Sequence, residues 1–154
     1  MQSCDKLISK LRADFTEVEF EEAERFGWRS KDGVVTYVAD GNGLLLLHEL
    51  AHALLGHEDY TRDVELVRME AEAWGKVREV LAPKYGVNYD EEWVEKQLDT
   101  YREWIDKRSR CPKCDYTGWQ MDVGGYRCPL CLGEWGVGPD QMKQVYRKKN
   151  KHPR

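Results

Sequence analysis

The chain has 154 residues, 41% of them hydrophobic and 34% charged, and a formal net charge of −4. That length accommodates one domain with a real core and at most a small appendage, and the composition excludes a disordered polypeptide. The strongest apolar run, residues 44–55, is broken by His48, Glu49 and His52 and is too short to cross a bilayer; MQSCDKLISKLRADF has charges scattered through it, so no secretory signal is expected and a cytoplasmic location is.

Charge is distributed unevenly. From Cys111 onward there are eight lysines and arginines against four acids, a local +4 that leaves −8 for residues 1–110. An acidic body and a basic tail are expected to meet different partners.

In chain order, Leu7, Ile8, Leu11, Phe15 and Val18 recur at near-helical spacing within residues 3–25, predicting one N-terminal helix that runs into an acidic stretch, EVEFEEAER. GVVTYVAD, residues 33–40, is β-branched and aromatic between turn signals and reads as a strand, followed by the turn DGNG. An extended peptide is expected to pair along the edge of that strand.

GLLLLHELAHALLGHEDY then opens as a helix at Asn42 or Gly43, with Gly56 placed to end it. Residues four apart share a helical face, so His48 and His52 can offer two imidazole nitrogens to one ion while Glu49 points beside them toward a bound water. This HExxH arrangement suits zinc-assisted hydrolysis of an amide with Glu49 as general base. Charge left uncoordinated in so apolar a helix would be costly, which argues against chance spacing. A catalytic zinc takes three protein ligands and keeps one position for water. Candidates for the third are His57, Glu58, Asp63, Glu65, Glu70 and Glu72; His57 lies beyond the helix stop and would have to fold back.

DVELVRMEAEAWGKVREVLAP, residues 63–83, has Val64, Val67, Ala71, Trp74, Val77, Val80 and Leu81 on one stripe and is expected to stop at Pro83. Packed antiparallel to the histidine helix, it would face the metal with Glu70 or Glu72. A third helix is predicted over 90–108, capped by Asp90, with Trp93, Val94, Gln97, Leu98, Tyr101 and Ile105 inward.

At 109–111 the composition changes to Gly, Pro, Cys and aromatics. CPKC and CPLC, thirteen residues apart, place Cys111, Cys114, Cys128 and Cys131 on two knuckles that can close a tetrahedral structural zinc site, with YTGWQMDVGGYR as the hairpin between them. Such a metal would fold a segment too small to hold a core alone. Trp119, Tyr126 and Trp135 are expected to cover the knuckles rather than stack on bases, and the tail MKQVYRKKNKHPR offers cations for nucleic-acid contact. Cys4 reads as a spare thiol near a loosely held terminus, with latency through zinc coordination as the alternative.

HELAHALLGH followed by EAEAW and VLAP resembles the ImmA/IrrE type of metallopeptidase, in which HELGH-x-LLGH precedes E-x-E-A-N and L-L-M-P. The resemblance covers residues 33–83, about a third of the chain, and HExxH is its strongest element. It implies a gluzincin-type ligand set of His48, His52 and Glu70, with Glu72 in reserve, and a protein substrate, often a DNA-binding repressor. Trp74 departs from the pattern: it stands where the family has Asn or Asp and cannot accept a hydrogen bond from a ligand histidine. HELAH followed by a ribbon is also similar to SprT and Spartan proteases, which act on proteins attached to DNA. Their third ligand is a later histidine, and here only His57 and His152 follow.

The expected architecture is α+β: a mostly helical zincin-like domain with a small sheet over 1–109, a zinc ribbon over 110–138 and a basic tail over 139–154. One catalytic and one structural zinc, a protein or peptide substrate, possible nucleic-acid contact through ribbon and tail, and no membrane complete the expectation. A non-catalytic zinc module that binds nucleic acid or protein is the alternative of a different class; it requires His57 or Glu72 to fill the remaining coordination position beside Glu70.

Overall fold

The computed structural model describes residues 2–138 and, as backbone, 147–149. It is mixed α+β with two small sheets, and the chain divides into two compact units, residues 1–60 with 68–94 and residues 61–67 with 95–154. The compositional break at 109–111 is therefore not where the units part. Apart from 147–149, the basic tail expected over 139–154 lies outside the described residues, His152 included. No helix among the described residues is long and apolar enough to cross a membrane.

In the first unit, α1 (Cys4–Asp14) buries Cys4, Leu7, Ile8 and Leu11. The helix ends before Phe15 and Val18, and the acidic stretch after it becomes β1 (Glu19–Glu22), where a single inward residue, Phe20, secures the strand. The N-terminal segment is tied down: Gly43 N–H donates to Gln2 O at 2.8 Å and Asp5 N–H to Ala39 O at 3.2 Å. Cys4 is consequently fully buried, its Sγ 3.4 Å from Gly41 O, and burial pushes its thiol up to about 11. It is a core residue rather than the loosely held thiol the sequence suggests.

β2 (Gly27–Arg29) and β3 (Val34–Tyr37) complete a sheet of order β1-β3-β2, with β1 parallel and β2 antiparallel to β3. Val34, Val35 and Tyr37 are buried. β3 is the central strand, so the edge pairing expected there is excluded: both of its edges already bond to neighbours, and the sheet's outer strands are β1 and β2.

α2 (Gly43–Leu54) begins where the Asn42 side chain accepts the Leu44 N–H at 3.0 Å, satisfying one of the donors a helix start leaves open. Leu44, Leu46, Leu47, Leu50 and Ala51 are buried, and so are His48 and His52. Because the apolar residues enclose this helix broadly, its polar side chains are held in a low-dielectric setting.

α3 (Asp63–Lys76) starts the long segment predicted over 63–83, but its buried stripe differs from the expected one. Leu66, Glu70, Ala73, Trp74, Val77 and Leu81 are buried, while Val64 and Val80 are exposed. The stripe is rotated to pass through Glu70, which the histidines of α2 satisfy inside. Nor does Pro83 stop the helix. Residues Val77–Leu81 widen into a π-helical turn in which Ala82 N–H donates to Val77 O, five residues back, and α4 (Ala82–Tyr85) follows up to Gly86. The wide turn puts Pro83 in the first turn of α4, where no amide donor is required.

α5 (Glu91–Ser109) is capped as predicted, Asp90 Oδ1 accepting Trp93 N–H at 3.0 Å. In the second unit, β4 (Trp119–Gln120), β5 (Tyr126–Arg127), β6 (Glu134–Val137) and β7 (Arg147–Lys149) form an antiparallel sheet in sequence order. The β4–β5 hairpin turns at Gly124 (φ 86°) and Gly125 (φ 74°), as the Gly-Gly pair requires. Tyr126 and Trp135 stack at 5.8 Å and pack with Cys111 and Cys128, whereas Trp119 is exposed.

Below this hairpin lies a buried polar cluster. Arg108 Nε is 2.7 Å and its Nη2 3.3 Å from the two Asp63 carboxylate oxygens, and Tyr126 Oη donates to Asp63 Oδ2 at 2.6 Å. The Arg108 guanidinium also lies over the Trp104 ring at 4.7 Å, and Trp135 Nε1 donates to Arg108 O at 2.8 Å. Every member has a partner, which is the condition under which buried charge is tolerated.

Candidate metal centres

α2 and α3 bring three buried donors together. His48 Nε2 is 2.8 Å from Glu70 Oε2, His52 Nε2 is 3.2 Å from Glu70 Oε1, and the two Nε2 atoms are 3.1 Å apart. Around a tetrahedral ion with ligand bonds of about 2.0–2.1 Å, neighbouring ligand atoms stand about 3.3 Å apart. The triangle already present is within about 0.5 Å of that edge length, and its chemistry, two imidazoles and a carboxylate, fits a divalent ion such as zinc. His48, His52 and Glu70 are each under 8% exposed.

Electrostatics match this picture. Burial alone would raise the Glu70 carboxyl, but hydrogen bonds to His48 and His52 outweigh it and hold the group at about 2. Burial lowers His48; at His52 the same penalty is overcome by Glu70 and Glu49, and that ring is raised. Glu49, next to His48 on α2, is pushed up to about 7 by burial against the pull of His52, with Glu70 adding to the rise. A carboxylate poised there is suited to exchanging protons near neutrality.

The other ring nitrogen of His48, Nδ1, has no hydrogen-bond partner among the described residues. Trp74 lies against the ring instead: its indole stacks on His48 at 4.2 Å and 22°, holding the imidazole by its face. Trp93 and Tyr89 pack edge-on against Trp74 at 5.8 and 6.4 Å. An acceptor at position 74 would have fixed His48 by hydrogen bonding; here aromatic packing does so.

The remaining candidate ligands lie elsewhere. Asp63 pairs with Arg108, Glu65 accepts the Thr61 N–H at 3.2 Å, and Glu58 is exposed and outside the donor group. Glu72 is half exposed and meets His57, Oε2 to Nε2, at 3.0 Å. His57 Nδ1 in turn is 2.8 Å from His52 Nδ1. Neither His57 nor Glu72 joins the three donors, and Cys4 does not either.

The four other cysteines form the second group, with all ligand atoms within 4.8 Å of one another. Cys111 Sγ and Cys131 Sγ are 3.7 Å apart, close to the about 3.8 Å edge of a tetrahedron with metal–sulfur bonds of about 2.3 Å. The two knuckles are built alike. Asp115 and Leu132, each directly after the second cysteine of its pair, take positive φ of 57° and 60° and return an N–H to the carbonyl of the first cysteine at 2.9 Å. Amides of Cys114, Leu130 and Gly133 point at thiol sulfurs at 3.4 Å, stabilising negative charge there. The Gly133 amide brings Cys131 down to about 7, while Cys114, sharing a proton with Cys131, rises to about 12.

Sequence reasoning missed the His52–His57–Glu72 contacts and the Asp63–Arg108–Tyr126 cluster. A signal for the first was present: glycine four residues after His52, with histidine next. No family model, no curated protein and no solved structure matches the chain.

Proposed function

We propose that the chain is a zinc-dependent endopeptidase of the ImmA/IrrE-like, gluzincin type, with a zincin-like catalytic domain and a structural zinc ribbon, hydrolysing peptide bonds in a protein substrate. The observation that carries this reading is the buried triangle of His48, His52 and Glu70, with Glu49 on the same helix and its carboxyl at about 7. His48 Nε2, His52 Nε2 and a Glu70 oxygen would hold the catalytic ion, and Cys111, Cys114, Cys128 and Cys131 the structural one. Zinc bound at the first site supplies a Lewis acid that acidifies water and polarises the scissile carbonyl. Glu49 takes a proton from the attacking water as the new carbon–oxygen bond forms, and delivers it to the amide nitrogen as the carbon–nitrogen bond breaks. His48 is kept in place by the Trp74 face and by Glu70.

Two alternatives are less well supported. A SprT-type site needs a later histidine as third ligand, and His57 instead faces the other ring nitrogen of His52. A closed, non-catalytic site needs His57 or Glu72 as a fourth ligand, and those two residues bond each other. Three protein donors leave a coordination position for water, the arrangement of catalytic zinc.

Glu49→Gln is the test. With zinc content unchanged at two ions per chain, cleavage of a quenched peptide library is expected to fall about 10²–10⁴-fold, the range for loss of a general base. Equal cleavage by wild type and variant, or none by zinc-replete wild type, would refute the peptidase reading.

A further inference from the structure

We propose that His57 and Glu72 are positioning residues for the metal site, forming a relay, His52–His57–Glu72, that fixes the tautomer of the ligand His52. The inference rests on the metal reading above and adds to it two residues outside the ligand set.

The relay originates in how α2 ends. Gly56 adopts φ 67°, a conformation that side chains other than glycine's rarely take, and the chain turns back. Gly56 N–H then donates to Ala53 O at 3.1 Å and His57 N–H to His52 O at 3.0 Å, the paired bonds of a Schellman ending. That ending brings together the residues at its two extremes, usually through an apolar contact. In this chain they are His52 and His57, and the contact is a hydrogen bond of 2.8 Å between their Nδ1 atoms. The turn is further anchored by Trp28 Nε1, which donates to His57 O at 2.8 Å.

The direction of the protons follows from the end of the chain of contacts. An ionised carboxylate only accepts, so His57 Nε2, 3.0 Å from Glu72 Oε2, carries a proton and donates it. In neutral His57 the Nδ1 is then the acceptor, and His52 Nδ1 must be the donor. With its Nδ1 protonated, His52 is left to offer Nε2, the atom 3.1 Å from His48 Nε2 and 3.2 Å from Glu70, as a lone pair once a bound metal takes the place of the proton it shares with Glu70. Reversing the tautomer would put the proton where the metal binds. Arg68 lies on the far side of that carboxylate, its Nε 3.5 Å from Glu72 Oε1. Among the described residues His48 has no such partner at Nδ1, so the relay acts on His52.

The test uses the full chain with zinc or cobalt alone as probe. His57→Leu is expected to weaken metal binding at the histidine site about 10–100-fold in chelator competition, the usual effect of losing such a partner, with the cysteine site unchanged. His57→Gln, whose amide oxygen accepts and whose nitrogen donates, should recover most of the loss. Long-range ¹H–¹⁵N spectra should show His52 protonated at Nδ1 in metal-loaded wild type and in His57→Gln. Equal affinity in His57→Leu and wild type, or His52 protonated at Nε2 in wild type, would overturn the relay. Wild type that binds metal only through its cysteines would overturn the underlying metal reading, and with it the relay's role; the spectra of the metal-free chain would then report the hydrogen bonds alone.

Discussion

Glu70→Ala should empty the histidine site while leaving the cysteine-bound ion in place. Glu70 is the one carboxylate among the three donors, so its loss removes both a ligand and the negative charge that offsets the ion's charge. Outer-shell partners are worth about 10–100-fold in metal affinity, and a ligand should exceed that range. The expected readout is a fall in metal content from two ions per chain to one after dialysis against a weak chelator, with hydrolysis lost. Glu72→Ala is the comparison: it should retain two ions and lose affinity only modestly. If the two variants behaved alike, Glu70 would not be a ligand.

Asp63→Ala should destabilise the second unit by about 3–5 kcal/mol, because it leaves the Arg108 guanidinium buried without its counter-charge. Tyr126 Oη loses its acceptor at the same time. Replacing both charged partners at once, Asp63→Leu with Arg108→Met, removes the uncompensated charge and should restore much of the loss, since a packed apolar pair is often no worse than a buried ion pair. Urea unfolding of the zinc-saturated chain measures both. A double variant as unstable as Asp63→Ala would mean that Arg108 matters through its contacts to Trp104 and Gly138 rather than through charge.

These two residues illustrate how far the sequence could be read. The HELAH spacing predicted the shared face of His48 and His52, and the paired CPxC motifs predicted the cysteine cluster, because both depend on separations of a few residues along one element. Helices α2 and α5 likewise carry their own start signals in Asn42 and Asp90. Asp63 was one of six candidate ligands; nothing local distinguishes a carboxylate facing a metal from one facing Arg108, 45 residues away. The rotation of the α3 stripe was hidden for the same reason. Val64 and Val80 suggest one buried face by polarity alone, whereas the actual face is decided by the imidazoles that receive Glu70. The central place of β3 is settled by tertiary pairing, to which periodicity is blind.

The burial of Cys4 has a consequence for how the protein meets oxidants and electrophiles. Only thiolates react readily, and a fully covered thiol raised to about 11 supplies almost none. Cys4 is thus set apart from the four knuckle cysteines, which a bound metal would hold as thiolates and shield, and which open to reagents once the metal leaves and the segment it folds loosens. The native, metal-loaded chain should take up no alkylating reagent, and chelation should unmask four sites rather than five, countable by intact mass. Oxidative damage would then enter through loss of the ribbon's ion, making that metal the guardian of the chain's sulfur chemistry.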